Sequence, residues 1–167
     1  MRLHLRAGLW HQLSIFSPTT NNEGVYLMST EENKAIIRRY IEEAWNKGNV
    51  NIIDQVMADN YARYMPGPEL PLDREGQKQR IRAFRLAFPD FHLTIDDMVA
   101  EGDEVAFRMT GTGTQHGTFM GIAPTGRQTS ITVIDIARFA NGKIVEQWGS
   151  RDDLGMLQQL GVIIPPR

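Results

Sequence analysis

The sequence predicts an α+β domain in which helices come first and an antiparallel sheet follows. Apolar residues recur at helical spacing from Ser29 to Phe88, and from Phe91 the period drops to two. The turn pairs Gly102-Asp103 and Asn141-Gly142 fall where hairpins would close. At 167 residues the chain is one domain or a domain with a tail. That length supports a core without metal or disulfide staples.

Residues 1–27 read differently from the rest. Arg2, His4, Arg6 and His11 lead into the polar run Ser17-Pro18-Thr19-Thr20-Asn21-Asn22, with Glu23 the one acid. His11-Gln12 splits Leu9-Trp10 from Leu13-Ser14-Ile15-Phe16, so no continuous apolar segment forms an export signal. This stretch is expected to be a disordered leader or upstream extension. The domain is expected over residues 28–167, in the cytoplasm.

The first helix opens at Ser29-Thr30-Glu31-Glu32, a capping box. Its buried stripe is Ile36, Ile37, Tyr40, Ile41, Ala44 and Trp45, and Gly48 ends it. A short second helix carries Ile52, Ile53, Val56 and Met57. The prolines of Met65-Pro66-Gly67-Pro68 and Pro71 exclude regular structure there. A third helix with Ile81, Phe84 and Phe88 stops at Pro89. Strand signals follow at Phe91-Leu93-Ile95, Val105-Phe107-Met109, Thr114–Met120, Gln128–Phe139 and Lys143–Ser150, then a short helix near Asp153–Leu160.

Composition excludes several classes of function. With 18 Lys+Arg against 20 Asp+Glu the net charge is -2, so no whole-domain grip on nucleic acid or an anionic membrane is expected. No cysteine is present, which removes disulfides, a thiolate nucleophile and Cys-ligated metal. No apolar run is long enough to span a bilayer.

Asp135 is the most informative candidate for chemistry. One face of Thr129–Phe139 carries Ile131, Val133, Asp135, Ala137 and Phe139; the other carries Ser130, Thr132, Ile134, Ile136 and Arg138. Both faces are largely apolar, which predicts a central strand covered on both sides. A carboxylate there is costly unless it is ion-paired or functional. Desolvation would move it toward the range of a general base. His116, in the glycine-rich Thr112–Thr118, is a second candidate, without a partner at metal-ligand spacing. Lys78, Arg80, Arg82 and Arg85 suit a solvated helix face, with Arg80 able to turn inward.

Five stretches in order resemble the SnoaL-like polyketide cyclases of the NTF2-like superfamily. They are Ala44-Trp45-Asn46-Lys47-Gly48-Asn49, Ala87-Phe88-Pro89-Asp90, Gly121–Arg127, Asn141–Trp148 and Leu157-Gln158-Gln159-Leu160-Gly161. The resemblance implies three helices packed on a strongly curved antiparallel sheet, forming a cone with a deep apolar pocket. It implies a homodimer or homotetramer assembled through the convex sheet, and ring closure by an aldol step without metal or cofactor. The family's acid-base aspartate falls on Gly149, and a pocket histidine falls on Asp135. A polar pocket position falls on Arg63, and a pocket-lining position falls on Trp45.

The leading expectation is a protein that binds a small, mostly apolar carbonyl compound, with Asp135 as a relocated acid/base. Gln147 shares a strand face with Gly149 and would point into the same pocket; Trp45 and Phe88 would form apolar walls. The alternative is a non-catalytic binding or assembly module, which requires Asp135 to be neutralised by Arg63 or another fixed arginine. The third is epoxide-hydrolase-like hydrolysis, which requires a second pocket carboxylate such as Asp152 or Asp153.

Overall fold

The computed structural model describes residues 29–67 and 70–163; the expected leader lies outside them. Helix α1 (Thr30–Tyr40) starts at the expected capping box: Ser29 Oγ accepts from the Glu32 amide, and Glu32 accepts from the Ser29 amide at 2.7 Å. The helix then widens into a π-helical segment (Ile41–Asn46). Bonding five residues back brings positions five apart onto one face. Trp45 Nε1 therefore donates to the Tyr40 hydroxyl at 3.0 Å, and both rings face the interior. Asn46, at the end of this segment, clips the sheet by pairing with both the amide (2.8 Å) and the carbonyl (3.1 Å) of Leu93.

After α2 (Ile52–Val56) comes β1 (Met57–Tyr64), then α3 (Arg74–Ala87). Next are β2 (His92–Glu101), β3 (Glu104–Thr114), β4 (Gln128–Ala140), β5 (Lys143–Arg151) and α4 (Asp153–Gln159). The sheet order is β1-β5-β4-β3-β2. The Asn141-Gly142 turn closes β4 onto β5 with φ of 50° and 75°, the left-handed pair such a two-residue hairpin needs.

Three expectations need correction. The sheet is mixed, because β1 was not foreseen as a strand and runs parallel to β5. No hairpin ties β1 to β5, so nothing in the connection imposes an antiparallel pairing. Thr114–Met120 is also mostly loop rather than strand. Gln115, fully buried, organises it: its side-chain amide donates to the carbonyls of Gly117, Ile122 and Ala123 and accepts from Thr125.

The third correction concerns β4, which is central but covered on one face. Ile131, Val133, Asp135, Ala137 and Phe139 are buried under the helices, whereas Ile134 is 51% exposed and Ile136 41%. The alternation is as expected, but the outer face is bare in the single chain.

Register shifts between Ile95 and Asp97 and between Arg138 and Phe139 bend the sheet around the helices. Asp90 ties the end of α3 to the end of β3, accepting from the Thr114 amide at 2.7 Å and its hydroxyl at 2.8 Å. Those bonds hold the Asp90 carboxyl below the usual carboxylate range.

Candidate functional site

Asp135 sits at the centre of the inner sheet face, 4% exposed, directly across from Gly149 in the β4–β5 register. Arg63 reaches it from β1 as a bidentate fork: Nη1 donates to Oδ2 and Nη2 to Oδ1, both at 3.1 Å. Gln147 Nε2 donates to Oδ2 at 2.6 Å, and Tyr61 donates its hydroxyl to Gln147 Oε1 at 2.8 Å. This orientation of the Gln147 amide satisfies both neighbours, whereas the flipped one would face acceptor to acceptor across Asp135. The result is a closed chain, Tyr61–Gln147–Asp135–Arg63.

The backbone fixes Arg63 from two sides. It lies in parallel register with Gln147 on β5, and it exchanges both amide–carbonyl bonds with Leu72 (2.8 and 2.9 Å) as the chain folds back toward α3. Burial alone would lower the Arg63 pKa, but the Asp135 charge outweighs it and holds the guanidinium more firmly protonated than usual. Burial pushes the Tyr61 and Tyr40 phenols above their ordinary values, so both remain neutral at physiological pH.

Gly149 is part of the same construction. A Cβ there would lie well under 3.0 Å from Asp135 Oδ1 and Arg63 Nη2. The position where the resemblance places an acid-base aspartate is therefore filled by the ion pair of the neighbouring strands. A carboxylate at 149 and the Arg63–Asp135 pair are mutually exclusive.

Above the pair lies a void of about 20 Å³, lined by Trp45, Phe84, Phe91, Leu93, Met109 and Val133 together with Arg63, Arg80, Asp135 and Arg151. It has room for about one water molecule, far below the deep pocket expected. Outside it, a cleft of about 380 Å³ is lined by Met65, Pro66, Met120, Gly149, Ser150 and Asp153, and again by Arg63, Arg80 and Arg151. The three arginines border both spaces.

Arg63, Gln147, Gly149 and Asp135 are thus brought together, and Trp45 borders the void with Arg63 and Asp135; Gly149 lines only the outer cleft and Gln147 lines neither space. Phe88 does not line the void. It is fully buried one layer behind, stacked on Phe84 with centroids 5.0 Å apart. His116 is not in the site; it lies exposed in the loop after β3, its amide bonded to the Ala87 carbonyl. The glycines around it serve close packing instead, since a Cβ at Gly117 would strike the Leu86 carbonyl.

Sequence reasoning missed Tyr61, Tyr40, Gln77 and Arg151. Tyr61 and Arg63 alternate as a strand would, and that was the available signal. Gln77 donates to the Tyr40 hydroxyl at 2.5 Å. Arg151 lies over the Phe84 and Phe119 rings, 5.3 and 5.6 Å from their centroids, and pairs with Asp153. Asp152 caps α4. Neither Asp152 nor Asp153 lines the void with Asp135, so the two-carboxylate arrangement for hydrolysis is not assembled there. Among the described residues no group of His, Asp or Glu is placed to hold a metal ion, and no helix is long and apolar enough to cross a membrane.

Comparison with known proteins agrees with this architecture. TsrD from Streptomyces laurentii matches at 31% identity over 81% of this chain and 99% of its own, with a TM-score of 0.73. IdmH from Streptomyces antibioticus, assigned as a polyketide cyclase, matches at 35% identity over 77% and 98%, with a TM-score of 0.70. AclR from Streptomyces galilaeus, assigned as a hydroxylase, matches at 29% identity over 83% and 91%, with a TM-score of 0.75. No curated protein matches the chain. The family model for SnoaL-like polyketide cyclases matches residues 35–160, from the middle of α1 to the end of α4, and the chain belongs to that family.

Proposed function

We propose that this protein binds a small, mostly apolar carbonyl compound inside its cone, in space opened when the Arg80 guanidinium leaves the Trp45 face, and that Asp135 is a fixed structural anion rather than the proton acceptor of a reaction. The observation that carries this reading is that both oxygens of Asp135 are held, by Arg63 and Gln147, while Gly149 leaves no room for a second carboxylate. A base must have a lone pair directed at substrate. Here three donors converge on the one carboxylate. The apolar walls, from Trp45 to Val133, suit a hydrophobic body, and the guanidinium N–H groups on the same lining suit a carbonyl oxygen.

A second reading keeps Asp135 as an acid/base, because it does border the void. One experiment separates the two. With 2-acetylnaphthalene as probe, calorimetry is expected to show saturable one-to-one binding that a void-filling Leu93→Trp variant abolishes. In D2O the probe's methyl protons are expected to exchange no faster than in buffer. Exchange that is accelerated by the native protein and lost in Asp135→Asn would establish the base reading; absence of any saturable binding would remove both.

We further propose that the bare outer face of β4 and β5 joins two copies of the chain. Ile134 and Ile136 lie there beside Tyr64 and Trp148, whose rings stack at 5.5 Å, around a groove of about 460 Å³. A single chain gains nothing by exposing this face. Sedimentation velocity is expected to report a dimer, and Ile134→Asp a folded monomer. A native monomer at micromolar concentration would contradict the proposal.

A further inference from the structure

The three arginines at the mouth of the cone are not equivalent. Arg63 is neutralised by Asp135 and Arg151 by Asp153. Arg80 forms no ion pair or hydrogen bond among the described residues, and its Nη1 is buried without an acceptor. Its guanidinium lies 5.1 Å from the centroid of the Trp45 ring. The charged side chains lining the void and the cleft are these three arginines, Asp135 and Asp153, which leaves one positive charge uncompensated.

A half-buried cation with one guanidinium nitrogen fully enclosed and no anion beside it opposes folding. Burial, reinforced by the charge of Arg63, lowers the Arg80 pKa to about 10. The Trp45 face offsets part of that cost. Stability alone would favour an apolar residue at this position of α3, which suggests that the missing anion comes from outside the chain.

We infer that Arg80 is the recognition site for a carboxylate carried by the apolar ligand. This rests on the ligand-binding reading above and narrows its chemical class from a neutral carbonyl compound to an aromatic or alicyclic acid. The guanidinium fork matches a carboxylate in planarity and spacing. Because Arg80 borders both the void and the outer cleft, it can meet an acid at the mouth while the hydrophobic body takes the Trp45 face that the guanidinium now covers. Leaving that face breaks no hydrogen bond. Arg63 cannot substitute, since its fork is already committed to Asp135.

The test compares 2-naphthoate with methyl 2-naphthoate, which share a hydrophobic body and differ in charge. By calorimetry the native protein is expected to bind the acid at least about tenfold more tightly than the ester, roughly the worth of one charge-assisted pair. Arg80→Met is expected to erase the difference, and Arg80→Lys to retain part of it. The melting temperature of Arg80→Met is expected not to fall, since the variant removes an uncompensated cation.

Salt provides a check on the native protein alone: acid affinity falls as ionic strength rises, while ester affinity does not. Equal affinity for acid and ester, or a preference that survives Arg80→Met, would overturn the inference and leave the ligand-binding reading intact. If the acid, the ester and 2-acetylnaphthalene all failed to bind, both would fall. A lowered melting temperature with unchanged acid affinity would make Arg80 structural.

Discussion

Replacing Asp135 with alanine is expected to destabilise the fold by about 3–5 kcal/mol, the usual result of leaving one member of a buried ion pair behind. The remaining charge would be Arg63, 3% exposed, with Nε already lacking an acceptor. Gln147 would lose its acceptor as well. For a domain of this size the loss corresponds to a drop in melting temperature on the order of 10 °C.

Removing both partners should be gentler. In Arg63→Met/Asp135→Leu no charge is stranded, and apolar side chains of similar volume can replace a buried pair at little net cost. The double variant is therefore expected to be more stable than either single one in urea denaturation. If instead the two single losses simply added, the pair would not be acting as a unit. Its role as a fixed anion, and with it the argument against Asp135 as a base, would then lose support.

The reason lies in how such pairs work. Taking both charges from water is expensive, and their attraction repays it only with good geometry and further hydrogen bonds. Here the geometry is a bidentate fork, and Gln147 and Tyr61 extend the network. It holds β1, β4 and β5 together across the inner face and sets which side chains border the void.

How much of this was readable beforehand depended on which signal each element carries. α1 was legible from its cap and stripe, because both are local. The change of period at Phe91 located the sheet, and Asn141-Gly142 located its last hairpin. β1 was hidden because Ala58, Asp59 and Asn60 are poor strand formers and three of its eight positions face the interior. Its extended form is imposed by β5 and Leu72, partners distant in sequence.

The same limit governs the site. Alternation put Asp135 on the inner face, and the family resemblance brought in Arg63. That the two meet depends on β1 lying beside β5, which no periodicity encodes. Arg80 belonged to a run of positive residues whose fates diverge. Lys78 and Arg82 reach acids at the surface, Arg85 caps the carbonyls of Trp45, Asn46 and Phe91, and Arg80 turns inward. Helical spacing separates these directions only when the position of the sheet is known. Conversely, the outer face of β4 reads as buried because Ile134 and Ile136 are apolar, although the helices cover only the inner face.

Gly149→Ala is expected to be nearly as damaging as the loss of Asp135, although it adds only one methyl group. The new Cβ would overlap Asp135 Oδ1 and Arg63 Nη2, and neither can yield without breaking the fork. The backbones cannot separate either, since Gly149 and Asp135 are partners in the β4–β5 ladder. Overpacking of this kind costs about 1–3 kcal/mol by itself, and displacement of the carboxylate adds the penalty of a broken pair.

A double-mutant cycle isolates the cause. Added to Asp135→Ala, Gly149→Ala should cost less than about 1 kcal/mol, because the obstructing oxygen is gone and Arg63 is free to move. A full cost in that background would mean that the glycine serves the backbone rather than the ion pair. With the expected coupling, the glycine at 149 is required by the aspartate at 135. With Asp135 locked to Arg63, no space is left at position 149 for the acid that the resemblance places there.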